Sequence, residues 1–126
     1  MSINFGKCCE MNLLIIRGSG FLTRCEIDKA IDKLLKNLKK WNSDSGKIGI
    51  LFDLQLVLGI DMASFERIAK FMDNFSQLAK EKVRLSVIVI TDKIVENVIQ
   101  LLFKLRKPIT PVKIVNSLEQ ACKLLN

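Results

Sequence analysis

Asp53 and Asp61 are the two residues of this chain whose types and spacing suggest chemistry. Asp53 ends a predicted strand, and Asp61 begins a predicted helix after a short apolar loop, so both carboxylates are expected near one end of a sheet. A carboxylate pair of this kind binds magnesium or acts as an acid and a base. Each residue also has an ordinary structural role, because Asp53 can accept loop amides and Asp61 can cap the helix. These roles account for both residues, so metal-assisted catalysis ranks last among three functional hypotheses.

The composition excludes the commonest catalytic machinery. Histidine and tyrosine are absent, which removes the commonest general base and any Cys–His pair. Gly18-Ser19-Gly20 lacks the lysine that follows the glycines of a phosphate-binding loop, so these residues are predicted to form a turn. Four cysteines without metal-ligand spacing are expected to be reduced core residues, namely Cys8, Cys9, Cys25 and Cys122. We therefore predict a protein that is not an enzyme and has no catalytic residue, cofactor or metal.

Composition also predicts one cytoplasmic domain over residues 1–126. Hydrophobic residues make up 49% and charged residues 26%, as in ordinary globular proteins. No apolar run is long enough to span a bilayer, and the N-terminus lacks the pattern of a signal peptide. The net charge of +7 comes from basic residues interleaved with acids, without the basic stripe and exposed aromatics of a nucleic-acid-binding surface. We expect no integral membrane segment and no nucleic-acid partner.

Apolar runs predict five strands. The first two, over about 2–9 and 12–17, are expected to pair as a hairpin around Glu10 and Met11. The other strands are expected over 47–53, 83–90 and 112–115, with a polar loop over 42–46 and a turn over 80–82.

Apolar residues spaced three and four apart predict four helices between and after these strands. Thr23 and Glu26 are expected to form a capping box at the first helix. The N-caps expected for the later helices are Asp61, Thr91-Asp92, and either Asn116 or Ser117. The resulting order, β-β-α-β-α-β-α-β-α, predicts a single-domain α/β fold with a mixed, largely parallel sheet of four to five strands and about four helices.

Three stretches of the sequence resemble the STAS domain, the fold of bacterial anti-sigma factor antagonists. Phe52-Asp53-Leu54 is similar to the family's strand end, and Ile60-Asp61-Met62-Ala63-Ser64-Phe65 to its Asp-Ser-Ser-Gly-Leu helix start. Residues 112–121 are similar to the family's last strand and its Ser-Leu-Glu-x-Ala helix start. The resemblance covers nearly the whole chain. It implies a regulatory protein-interaction module whose partner is a kinase, an anti-sigma-like protein or a scaffold protein.

The family's phosphorylation site is altered in this sequence. In switchable members, a partner kinase phosphorylates the hydroxyl residue directly after the loop aspartate, and Met62 stands at that position here. Ser64, at the family's glycine position, is the nearest hydroxyl residue. A phosphate there would be favoured by the helix dipole, but serine is also an ordinary residue near a helix start. The resemblance therefore implies docking without the usual phosphoacceptor, with Ser64 as the remaining candidate for phosphorylation.

Two non-enzymatic functions remain open. In the first, the protein docks a partner through the 54–67 loop and helix start, where Asp61, Met62, Ser64 and Phe65 are the predicted partner-binding residues. In the second, it binds or carries a lipid or a nucleotide, because the unusually apolar third helix, over 94–105, is suited to wall a pocket. Packing of a homodimer explains the same apolar excess.

Overall fold

The computed structural model describes residues 2–8, 12–41 and 46–126, the first of these segments as backbone only. Within these residues there are five strands: β1 (Ser2–Cys8), β2 (Leu13–Leu22), β3 (Ile48–Ile60), β4 (Val83–Val89) and β5 (Val112–Val115). There are four helices: α1 (Arg24–Lys40), α2 (Met62–Lys82), α3 (Lys93–Leu105) and α4 (Leu118–Leu125). The predicted order of elements is confirmed.

The strands form one sheet in the order β1-β2-β3-β4-β5. β1 runs antiparallel to β2, and the other neighbours are parallel, so the predicted mixed and largely parallel sheet is confirmed. The turn expected around Glu10 and Met11, the residue Cys9 and most of the polar loop, at 42–45, lie outside the described residues.

Helices cover the two faces of the sheet unequally. On one face, α1, α2 and α3 pack over side chains such as Leu14 and Ile50. On the other face, α4 is the one described helix that packs over Leu51 and Val87. Ile50 and Leu51 are neighbours in β3 and both are buried, which explains why this central strand has a continuous apolar run. None of the described helices is long and apolar enough to cross a membrane.

β2 and β3 are longer than predicted. Residues 54–59, expected as a loop, continue β3, and the expected turn Gly18-Ser19-Gly20 belongs to β2. Residues 19–22 pair in parallel with 56–60, across register shifts where β3 holds an extra residue. Gly20 has a φ of 71°, a conformation that glycine adopts without strain. We call the paired segments 19–22 and 56–60 the β2–β3 extension.

Three other local predictions are wrong. Residues 80–82 form the last turn of α2, where lysines also suit the helix dipole, rather than a connecting turn. Thr23 occupies the N-cap position of α1 without a side-chain capping bond, and Glu26 Oε2 is buried without a hydrogen-bond partner among the described residues, so the capping box is not formed. Cys25 and Cys122 are exposed free thiols, because they lie off the buried stripes of α1 and α4.

The remaining helix starts agree with the sequence. The Asp92 carboxylate accepts the backbone N–H groups of Ile94 and Val95 at the start of α3. The Ser117 hydroxyl accepts the N–H of Gln120 at the start of α4. Short polar side chains that satisfy first-turn N–H groups are a local signal, which is why they could be predicted.

Candidate functional site

Asp61 lies between the end of β3 and the start of α2. Its carboxylate accepts the backbone N–H of Ser64 at 2.7 Å, and its carbonyl oxygen accepts the N–H of Phe65 at 3.0 Å. The first bond satisfies an N–H group that the first turn of a helix leaves unpaired, and the second is the first backbone hydrogen bond of the helix itself. The predicted N-cap is confirmed, and it fixes the direction in which α2 leaves the sheet.

Hydrogen bonds from Ser64 lower the pKa of the Asp61 carboxyl below its ordinary value. The Ser64 hydroxyl contributes most and the Ser64 backbone N–H contributes next, against a smaller opposing effect of desolvation. In the structure, the Ser64 hydroxyl donates its proton to the carbonyl oxygen of Leu22 at 3.2 Å, and the backbone N–H of Ser64 donates to the Asp61 carboxylate. At neutral pH, Asp61 is therefore an ionised capping group.

Ser64 is fully buried where the start of α2 meets the end of β2. Its bond to the Leu22 carbonyl joins the first turn of α2 to the end of β2. A partner or a kinase reaches exposed side chains, so this placement argues against the contact and phosphorylation roles expected for Ser64. The sequence could not indicate this bond, because the second strand was predicted to end at residue 17, before Leu22.

Large exposed apolar side chains lie on the β2–β3 extension that leads to this helix start and on the first residue of the helix. Met62 is 70% exposed and Leu56 is 71% exposed, and Phe21 and Leu58 are also mainly in solvent. Phe65, the other predicted anchor, is partly buried. We call Phe21, Leu56, Leu58 and Met62 the rim surface. Sequence reasoning included Leu56 and Leu58 within the docking segment but missed Phe21, which follows the glycines assigned to a turn.

The β2–β3 extension has one buried side and one open side. Leu22 and Val57 are buried on the side that packs against α1 and α3. On the open side, the Phe21 ring lies directly on the backbone of Gly59, where an added Cβ would be 2.8 Å from the ring. The rim surface is therefore held on a strand pair whose other side belongs to the hydrophobic core.

Asp53 and Asp61 do not form a pair. Asp53 lies 3.6 Å from Arg17 Nε in an ion pair and accepts a hydrogen bond from the Gln55 side chain at 2.9 Å. Because β3 continues from Asp53 to Ile60, the two carboxylates lie roughly 20 Å apart along an extended strand. The described residues contain no group of three or more acidic or cysteine side chains able to hold a metal ion.

An apolar cavity of about 210 Å³ lies between the sheet and the helices α1, α2 and α3. Phe52 and Ile88 line it from the sheet, Phe71 from α2, and Ile99 and Phe103 from α3. α3 therefore walls a pocket with the sheet, as the apolar excess of its sequence suggested. The segment 107–110, between α3 and β5, also lines the cavity and contains exposed residues, so this is the side that faces solvent.

α3 also has an outward apolar face. Ile94 is 72% exposed, and Leu101 and Leu105 are more than half exposed. Some of the apolar residues of α3 therefore line the cavity, and others are exposed at the surface. This outward face lies on a different element from the rim surface, which makes it a useful comparison in experiments.

Comparisons with known proteins give structural matches only. No protein-family model and no curated protein matches the sequence. An uncharacterized protein of the DUF3478 family with a SpoIIAA-like fold, from Shewanella loihica PV-4, superposes with a TM-score of 0.69 at 14% identity, covering 99% of this chain and 93% of that chain. The anti-sigma factor antagonist SpoIIAA, in its unphosphorylated form, gives a TM-score of 0.64 at 12% identity, covering 98% and 97%.

A third match comes from the complex of the diguanylate cyclase SiaD with its activator SiaC from Pseudomonas aeruginosa. Its TM-score is 0.55 at 11% identity, and the match covers 90% of this chain and 93% of that chain. The chain therefore has the α/β fold of STAS domains. In particular, its architecture is that of SpoIIAA, so the fold implied by the sequence resemblance is confirmed.

Proposed function

We propose that this protein is a non-enzymatic regulatory module that docks a protein partner through the rim surface. The observation that carries this proposal is the exposure of four large apolar side chains, three on the β2–β3 extension and one on the first residue of α2. Clustered exposed apolar residues on a globular protein mark interaction sites. Aromatic and methionine side chains such as Phe21 and Met62 are the types enriched in protein interfaces.

Two structural neighbours support a protein as the partner. SpoIIAA is named as an antagonist of an anti-sigma factor, and SiaC is named as an activator in complex with SiaD. Both names describe action on another protein. For the present chain, we accordingly propose a partner that is an anti-sigma-like protein, a kinase or a scaffold protein, met in the cytoplasm.

The proposed surface includes Asp61, Met62 and Phe65, which were predicted from the sequence. It also includes the other residues of the rim surface, Phe21, Leu56 and Leu58. Asp61 orients the first turn of α2, and Met62 and Phe65 project from that turn. Ser64 supports the turn from below and is not part of the proposed contact, because it is buried. With Met62 at the family's phosphoacceptor position, we propose that phosphorylation at this helix start does not switch docking.

Photo-cross-linking in the native host tests this surface. Benzoylphenylalanine replaces Phe21, which is 67% exposed, and in a control chain it replaces the exposed Lys113 on β5. We expect a protein to cross-link to the label at position 21 only, and to be lost when Met62→Asp is added. Equal labelling from both positions would contradict the proposal, and a product of two copies of this chain would assign the surface to homodimer packing instead.

A further inference from the structure

We propose that the apolar cavity binds a medium-chain carboxylate, with its hydrocarbon chain inside and its carboxylate at Lys107. The cavity and the rim surface lie on opposite sides of the β2–β3 extension: Leu22 and Ile60 line the cavity, whereas Leu56 and Leu58 face solvent. This site therefore has its own ligand and does not depend on the proposed protein partner.

The volume and walls of the cavity select a small apolar group. An apolar protein cavity of ~150 Å³ accommodates benzene. By proportion, the cavity of about 210 Å³ takes roughly eight non-hydrogen atoms. Its inner walls are aliphatic and aromatic, including Leu34, Phe52 and Ile68, so a polar ligand such as a nucleotide would lose its hydration without gaining partners.

The shape of the cavity favours a chain over a compact ring. Residues of α2 line it from Ile68 to Ala79, which is about 16 Å at the rise of an α-helix. A volume of this size that extends along three helical turns is narrow. An extended alkyl chain fills such a space, and each buried methylene gains hydrophobic free energy.

Charge at one end of the cavity selects an anion. Lys107 lines the cavity on the solvent-facing side, together with Thr110. The neighbouring Arg106 is already paired, because its Nε lies 3.2 Å from the Asp73 carboxylate. Lys107 forms no ion pair with any described residue, so its ammonium group is available for a ligand carboxylate. An apolar interior with one cation at its opening matches an amphipathic anion.

Isothermal titration calorimetry with sodium octanoate tests the proposal directly. Affinity is expected to rise about fourfold for each methylene from butyrate to octanoate, because each buried methylene adds a constant increment, and to level off at dodecanoate, which exceeds the cavity. Octylamine, which has the same chain and the opposite charge, is expected to bind at least several-fold more weakly. The absence of saturable octanoate binding, or equal binding of octylamine, would overturn the proposal.

Variants separate the chain site from the charge site. Ala30→Leu fills part of the cavity from α1 and is expected to weaken octanoate binding at least tenfold. If this variant does not fold, Ser76→Leu fills the cavity from α2 and is expected to have the same effect on octanoate binding. Lys107→Glu is expected to weaken octanoate binding several-fold and to leave the binding of neutral 1-octanol unchanged. Lys113→Glu, at an exposed lysine outside the cavity lining, is expected to change neither. Unchanged octanoate affinity in the cavity-filling variants, or in Lys107→Glu, would show that octanoate does not bind in this cavity with its carboxylate at Lys107.

Discussion

Asp61 and Ser64 hold the start of α2 against the end of β2 through different hydrogen bonds. The Asp61 carboxylate satisfies a backbone N–H of the first turn, and the Ser64 hydroxyl donates to a carbonyl oxygen of the neighbouring strand. The first bond is local, and residue type and position predicted it. The second connects residues that are 42 positions apart, so the sequence pattern held no signal for it. Ser64, a candidate modification site by sequence, is in this fold a buried residue whose hydrogen bond ties α2 to β2, and we call this bond the Ser64 tether.

Substitutions at Ser64 test this tether. Ser64→Ala leaves the Leu22 carbonyl without its donor and is expected to lower the free energy of unfolding by about 1 to 2 kcal/mol. Ser64→Asp places a carboxylate in a buried site and is expected to cost more, about 3 kcal/mol or above. The matched control is Ala63→Asp, an exposed neighbour where an acidic residue suits the helix dipole. Urea denaturation in which Ser64→Asp is no less stable than Ala63→Asp would contradict the burial of Ser64.

The charge of Asp61 predicts a defined pH dependence. Since folding lowers the pKa of this carboxyl from its ordinary value of 3.8, ionisation stabilises the folded state above that value. Asp61→Asn keeps a good N-cap but removes the charge. The stability advantage of the wild type over Asp61→Asn is therefore expected to be constant near neutral pH and to vanish as the pH falls below 3.8 through the folded-state pKa. Urea titrations at several pH values measure it, and an advantage that grows on acidification would contradict the assignment.

The β2–β3 extension is the element that the sequence did not predict. Helices α1 to α4 follow from the local spacing of apolar residues, and the starts of α2, α3 and α4 follow from capping residues as well; neither signal depends on distant contacts. The extension instead depends on pairing between two segments that look like a turn and a loop when each is considered alone. Glycine-rich segments carry weak strand preference, and tertiary pairing decides their structure. The first part of the candidate site, which was predicted to be a loop, is therefore part of a strand pair.

Gly20→Ala tests the extension as a unit. A φ of 71° is strained for alanine, so this substitution is expected to lower the free energy of unfolding by about 1 to 2 kcal/mol. The effect should be local, with faster amide hydrogen exchange in residues 19–22 and 56–60 and unchanged exchange in β4, which serves as an internal reference. Faster exchange spread evenly through β4 would indicate that the extension has no separate stability.

At the scale of the whole molecule, the fold places a cavity and an exposed apolar surface on opposite sides of the same strand pair. The overall fold was predictable, because the order of elements and several short motifs are local features of the sequence. The rim surface was predictable only in part, since the exposure of Phe21 depends on how far β2 and β3 pair. The outward face of α3 is a second apolar surface, so the two must be distinguished experimentally.

The affinity of the cross-linked partner for defined variants tests the central claim most directly. The partner is produced recombinantly and titrated calorimetrically with the wild type, with Leu56→Asp and Met62→Asp on the rim surface, and with Leu101→Asp on α3 as the matched exposed control. We predict at least a tenfold loss of affinity for both rim variants, no change for Leu101→Asp, and melting temperatures within about 3 °C of the wild type, since exposed substitutions change stability little. Wild-type affinity in both rim variants, or a loss confined to Leu101→Asp, would contradict docking through the rim surface.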